Sequence, residues 1–100
     1  MNVEVLTEAR EDLFMGYLFY EEQQPGIGDY FLDSVGADID SLILYAGIHT
    51  VHHGYHRKLA TVFPFAVYYR IEGETVFVDA VLDQRGDSGS IADTLASRLS

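Results

Sequence analysis

The stretch FPFAVYYRIEGETVFVDAVLD, residues 63–83, constrains this chain more than any other. Phe65, Val67, Tyr69 and Ile71 alternate with Ala66, Tyr68 and Arg70, the period-two pattern of a strand with two distinct faces. After Gly73-Glu74 the alternation resumes, with Val76, Val78, Ala80 and Leu82 on one side and Phe77, Asp79, Val81 and Asp83 on the other. A one-residue slip would turn every buried side chain toward water, so the two apolar rows determine the register. Ile71 is expected opposite Val76 and Val67 opposite Ala80, with Gly73-Glu74 as a two-residue hairpin turn. That register pairs Arg70 with Phe77 and Tyr68 with Asp79 on the second face. Aromatic, basic and acidic groups mix there, so this face reads as a binding surface rather than plain exterior.

The remaining elements follow from periodicity and breakers. NVEVL alternates and predicts a first strand carrying Val3 and Val5. Thr7 is placed to cap the helix EAREDLFMGYLFYEEQQ, whose opening turns hold Glu8, Glu11 and Asp12. Ala9, Leu13, Tyr17 and Tyr20 mark one face of it, and Phe14, Met15, Leu18 and Phe19 mark another. A helix apolar nearly all round is either sandwiched or covered by a partner. PGIG breaks this helix, and a second one is expected from Asp29 to about Tyr45, with Phe31, Val35, Ile39, Leu42 and Ile43 inward and Asp33, Asp38 and Asp40 in water. Gly47 stops it. Residues 48–54 read as a loop, 55–60 as a strand, and Ser88 or Ser90 as the cap of a final helix, SIADTLASRL. The order is β-α-α-β-β-β-α in one domain, residues 1–100, which is an α+β layout.

All four histidines, His49, His52, His53 and His56, fall in AGIHTVHHGYHRKL at i, i+3, i+4 and i+7. On a helix they would share a face, but the segment follows a helix stop and contains Thr50, Val51 and Gly54, so the spacing loses that meaning. His49, His52 and His53 read as polar surface, and no metal site is expected, because residues 41–71 supply no carboxylate. The net charge of −10 is unevenly spread: ten acids and one base in residues 1–40, no acid with Arg57, Lys58 and Arg70 in 41–71, and six acids with Arg85 and Arg98 in 72–100. Such a sign change along the chain says more than the total. The absence of cysteine removes disulfide and thiolate chemistry. No stretch has the ~20 apolar residues of a membrane span. The acidic opening lacks the pattern of a secretory signal, so a cytoplasmic location is expected.

The helix and turn DLFMGYLFYEEQQPGIGDYFLDSV, then YHRKL, then FPFAVYYRIEGETVFVDAVLDQRGD, together resemble the RelE/ParE superfamily of type II toxin components, nearest its plasmid-stabilisation branch. The resemblance implies a two-helix hairpin on a small, mostly antiparallel four-stranded sheet, with a short C-terminal helix. It implies a cytoplasmic toxin without cofactor or metal, silenced by a cognate antitoxin protein. The target is either translation, through ribosome-dependent mRNA cleavage, or DNA gyrase. By position, Arg57, Lys58, Arg70 and Arg85 would form the basic catalytic face, with Tyr68 or His56 relaying the proton. Phe14, Met15, Leu18, Phe19 and Phe77 would meet the antitoxin. Nucleases of this family are strongly basic and end near a Tyr or His, whereas TLASRLS has neither. A second expectation therefore stands beside the first: a non-catalytic interaction module that keeps the fold and the antitoxin groove. Uncovered helix surface and sheet edges also leave a homodimer open.

Overall fold

In the computed structural model, which describes residues 1–99, the hairpin lies in the middle of a five-stranded sheet. The chain runs β1 (Asn2–Val5), α1 (Thr7–Gln23), α2 (Ile27–Asp40), the single turn α3 (Leu42–Tyr45), β2 (Val51–His52), β3 (Tyr55–Leu59), β4 (Phe65–Glu72), β5 (Thr75–Asp83) and α4 (Ser88–Arg98). The sheet order is β1-β5-β4-β3-β2. β1 is parallel to β5 and the other pairs are antiparallel. The α+β class is the one expected, but there are five strands instead of four.

The added strand, β2, lies in the segment read as a loop. His53 and Gly54 both take positive φ, 55° and 86°. Two such residues make a turn whose twist matches a hairpin, so Val51 and His52 fold back onto His56 and Tyr55. A strand of two residues is too short to show periodicity.

From the turn outward the expected register holds as far as Tyr69 opposite Val78, with Ile71 opposite Val76 and Arg70 opposite Phe77. It then shifts by one residue. Tyr68 faces Ala80 and Val67 faces Val81, where Asp79 and Ala80 were expected. Asp79 is the extra residue of a β-bulge. The shift sends Val81 to the same core as Val76 and Val78, and turns Ala80 to the opposite face with Ala66 and Tyr68.

Helices α1 and α2 cover the first face, where Ala9, Tyr20, Phe31, Val35, Ile39 and Leu42 pack on the sheet. Gly16 permits the close crossing, since a Cβ there would lie 2.5 Å from the Phe31 ring. The helix ends differ from the sequence reading. Leu6, not Thr7, precedes α1 and makes no side-chain cap. α2 begins at Ile27, because Gly26 turns the chain at φ 96° and the Glu21 carboxylate accepts from the Gly26 and Gly28 amides. Ser41 separates α2 from α3, leaving Ile43 exposed instead of in the core stripe. Asp87, not Ser88 or Ser90, caps α4 by accepting from the Gly89 amide. α4 lies on the second face, where Leu95 and Ile91 close over Tyr55, Ala66, Tyr68 and Ala80.

β1 ends opposite Val78, so β5 from Asp79 onward has no strand on that side. Asp12 of α1 fills the gap. Its carboxylate accepts from the Val81 amide at 3.0 Å and from Arg98 of α4 through two bonds of 2.7 and 2.9 Å. Arg98 also donates to the Asp79 carbonyl at 2.9 Å. Asp12→Ala would leave an amide unpaired and strip a largely buried guanidinium of its carboxylate, with only the Asp79 carbonyl left to it, and should lower stability by about 2–4 kcal/mol in urea denaturation. Arg98→Ala should cost less, because Asp12 keeps its amide. The double variant should cost less than the sum of the two. Strict additivity would show that the three groups do not act as one unit.

Candidate functional site

The cations that were expected to share one platform are divided by strand alternation. On β3, Arg57 lies opposite Tyr68 and on its face, whereas His56 and Lys58 lie opposite Tyr69 and Val67 and turn toward the α1–α2 layer. Arg70 shares the Tyr68 face, where it bonds Asp79 at 3.0 Å and Glu72 at 3.1 Å and covers the Phe77 ring at 5.0 Å. Burial is the largest single influence on Arg70 and would weaken its charge, but the hydrogen bonds and negative charges of Asp79 and Glu72 together outweigh it and strengthen that charge. Burial pushes the Asp79 carboxyl above its ordinary range, against the pull of Arg70. Arg85 stands by α1, bound to Asp83 at 2.6 Å, 3.4 Å from the Tyr20 hydroxyl and over the Phe19 ring at 5.9 Å. Its hydrogen bonds hold Asp83 below the usual carboxylate range.

Tyr68 is buried, and its hydroxyl donates to Gln84 at 3.3 Å. The open binding surface expected on this face is therefore filled by Leu95 and Ile91 of α4. The sequence reading left α4 unassigned to either face, because a short amphipathic helix does not reveal which side of the sheet it meets.

Four of the five proposed partner-contact residues do gather. Phe14, Met15, Leu18 and Phe19 are exposed by 58%, 64%, 37% and 49% along α1. Met15 and Phe19 border a groove whose other wall is Phe65, Val81 and Leu82 of the sheet. Phe77 does not belong to this surface, since it lies half-buried under Arg70.

A third cluster was not foreseen. Asp38, expected in water, is buried at the end of α2. It accepts from the Thr61 amide at 3.0 Å and the Thr61 hydroxyl at 2.6 Å, and pairs with Lys58 at 3.4 Å. Next to it, the Tyr69 hydroxyl accepts from the Gly47 amide at 2.9 Å and meets His49 Nδ1 at 2.5 Å. His56 stacks on the Tyr69 ring at 5.0 Å, and its Nδ1 donates to the His49 carbonyl at 2.7 Å. His49 is thus a structural hydrogen-bond partner, not the loose surface residue its loop position suggested. Among the described residues no group of three or more His, Asp or Glu side chains is placed to hold a metal ion. Among the described residues no helix is long and apolar enough to cross a membrane.

No protein-family model matches the sequence, and no curated protein matches it significantly. Among solved structures, the chain is similar to one from the chromosomal ParDE TA system of P. aeruginosa, with a TM-score of 0.74 and 17% identity over 81% of this chain and 92% of that one. At that identity the likeness concerns the fold alone.

Burial lowers the pKa of His49 from its ordinary 6.5, and the nearby charges of Lys58 and His56 add to the effect. The unfolded chain therefore binds more protons than the folded one just below that value, and this part of the stability is lost as pH falls. Denaturation at a series of pH values between about 7 and 5 should show stability declining toward acid, with a shallower decline in His49→Gln. An unchanged slope in the variant would show that His49 is not held neutral by the fold.

Proposed function

We propose that this chain is the toxin component of a type II toxin–antitoxin pair, neutralised by a cognate antitoxin that covers the α1 strip. The observation that carries the reading is the strip itself, set on this fold. Phe14, Met15, Leu18 and Phe19 stand open beside an apolar groove, and a chain with the same fold belongs to a ParDE TA system. Contiguous large apolar side chains of this kind mark a surface meant to be covered.

The cations bear on the target. Lys58, Arg70 and Arg85 each face a carboxylate of the same chain, and Tyr68 lies under α4. A guanidinium already neutralised and held aside stabilises little of the charge that develops when a 2′-hydroxyl attacks a phosphate. This favours DNA gyrase over ribosome-bound mRNA as the cytoplasmic target. Arg57, Lys58, Arg70, Arg85 and His56 then set the local charge, and Tyr68 packs in the core under α4, instead of carrying out RNA cleavage. The same pairing favours a second reading, a non-catalytic module that binds its partner without harming the cell.

Induced expression in a bacterial host should arrest growth. Purified protein should inhibit supercoiling by DNA gyrase and leave ribosome-bound mRNA intact. A Phe14→Glu, Phe19→Glu variant should still arrest growth but escape neutralisation by the product of the adjacent reading frame. Cleavage of mRNA that is lost in Arg70→Ala or Arg85→Ala would replace gyrase with translation. Harmless expression in several hosts, with neither activity in the purified protein, would establish the non-catalytic module instead.

A further inference from the structure

Five of the six Lys and Arg residues have an acceptor within the chain. Arg10 donates to the Val5 carbonyl, Lys58 pairs with Asp38, Arg70 with Asp79 and Glu72, Arg85 with Asp83, and Arg98 with Asp12. Among the described residues Arg57 alone has none for its guanidinium, although it is half-buried. It lines an open depression together with Ile48, His49, Thr50, His52 and Leu59, and no carboxylate is among them. The nearest acids along the chain are Asp40 and Glu72, since residues 41–71 contain none. In a molecule of net charge −10 this is an isolated positive spot.

The backbone beside it is also open. β2 pairs only with Tyr55 and His56, and the Thr50 carbonyl takes the Arg57 amide. Beyond that point the outer side of β3, at Lys58 and Leu59, has no strand beside it. The rim is aliphatic, with Ile48 exposed by 73% and Leu59 by 56%.

We infer that this depression receives an acidic, aliphatic segment of another protein. The segment lies extended along the free end of β3, with one of its carboxylates on Arg57 and aliphatic side chains against Ile48 and Leu59. A carboxylate is the acceptor a half-buried guanidinium lacks, and the fork geometry of Arg suits it in particular. An exposed strand edge supplies the backbone half of such an interface. Nucleic acid fits less well. A polyanion meets the surrounding negative charge over the ~10 Å reach of unscreened charge, and the lining offers no Phe, Tyr or Trp ring on which a base could stack. The inference goes beyond the toxin reading and does not depend on it, because the depression is remote in sequence and structure from the α1 strip.

A library of random dodecapeptides displayed on phage, selected against the full chain, tests it. Selected peptides should be enriched in Asp or Glu flanked by Leu, Ile or Val. Fluorescence polarisation should show their affinity falling at least tenfold in Arg57→Ala and changing less than twofold in Arg10→Ala, with circular dichroism confirming that both variants are folded. Selection against Arg57→Glu should enrich Lys or Arg in place of the acids. The inference is overturned if nothing is enriched, if the selected peptides lack acids, or if their affinity ignores Arg57. It is equally overturned if a twelve-nucleotide single-stranded RNA binds the chain more tightly than the peptides and does so through Arg57.

Discussion

Past Val78 the backbone of β5 loses its neighbour, and the arrangement of both helical layers answers to the two polar groups left there. The bulge at Asp79 leaves the Val81 amide and the Asp79 carbonyl at an open flank. Backbone groups so placed need partners, and an uncovered edge invites other strands. Asp12 takes the amide, Arg98 takes the carbonyl, and the two side chains bind each other. A residue of the first helix and one of the last thereby meet across the sheet edge. This contact fixes α1 on one face and α4 on the other, and α4 in turn fills the face that the hairpin alternation left looking open. The binding surface anticipated opposite the helical pair is absent because the bulge gives α4 an anchor.

What could be read in the sequence was whatever repeats. The hairpin from Ile71 to Val76, its Gly73-Glu74 turn and the inward row Phe31, Val35, Ile39 and Leu42 all follow from periodicity, and all are present; periodicity also marks the Phe14–Phe19 face, but not that it stands open instead of being sandwiched in the core. The bulge was hidden because VFVDAVLD alternates just as well without it. Only the burial of Asp79, which needs Arg70 to be tolerated, distinguishes the two registers. Asp38 was misplaced for a related reason. A carboxylate on a helix reads as solvent-facing unless its partners are known, and Lys58 and Thr61 come from a strand and a loop twenty and twenty-three positions away. β2 was missed because two residues carry no period. Its one signal was the pair His53-Gly54, which is rare among hairpin turns beside Asn-Gly or Asp-Gly.

The same long-range pairing explains why the candidate catalytic set could be named from position yet not assembled. Position along β3 says that Arg57 and Lys58 are neighbours; alternation says that they face opposite layers. Arg70 and Arg85 lie close in sequence to Asp79 and Asp83, and in the fold each is bound to that acid. Counting charges by segment therefore overstated the positive region. Most of the bases in and around residues 41–71 are balanced by acids from other segments, and the excess that survives is one guanidinium.

The two surfaces left without an internal partner differ in sign, and this limits how they can be used. The α1 strip lies among Glu8, Glu11 and Glu22, all exposed, with Arg10 drawn back to the Val5 carbonyl. A partner seated on Phe14, Met15 and Phe19 buries apolar area at the centre and meets carboxylates at the rim, so its own rim is favoured when basic and opposed when acidic. The depression at Arg57 sets the reverse condition, with no carboxylate in its lining and one cation in need of an acceptor. One uniform charged tail cannot satisfy both. A single partner occupying the two surfaces would have to change sign along its length, basic where it crosses α1 and acidic where it reaches β3.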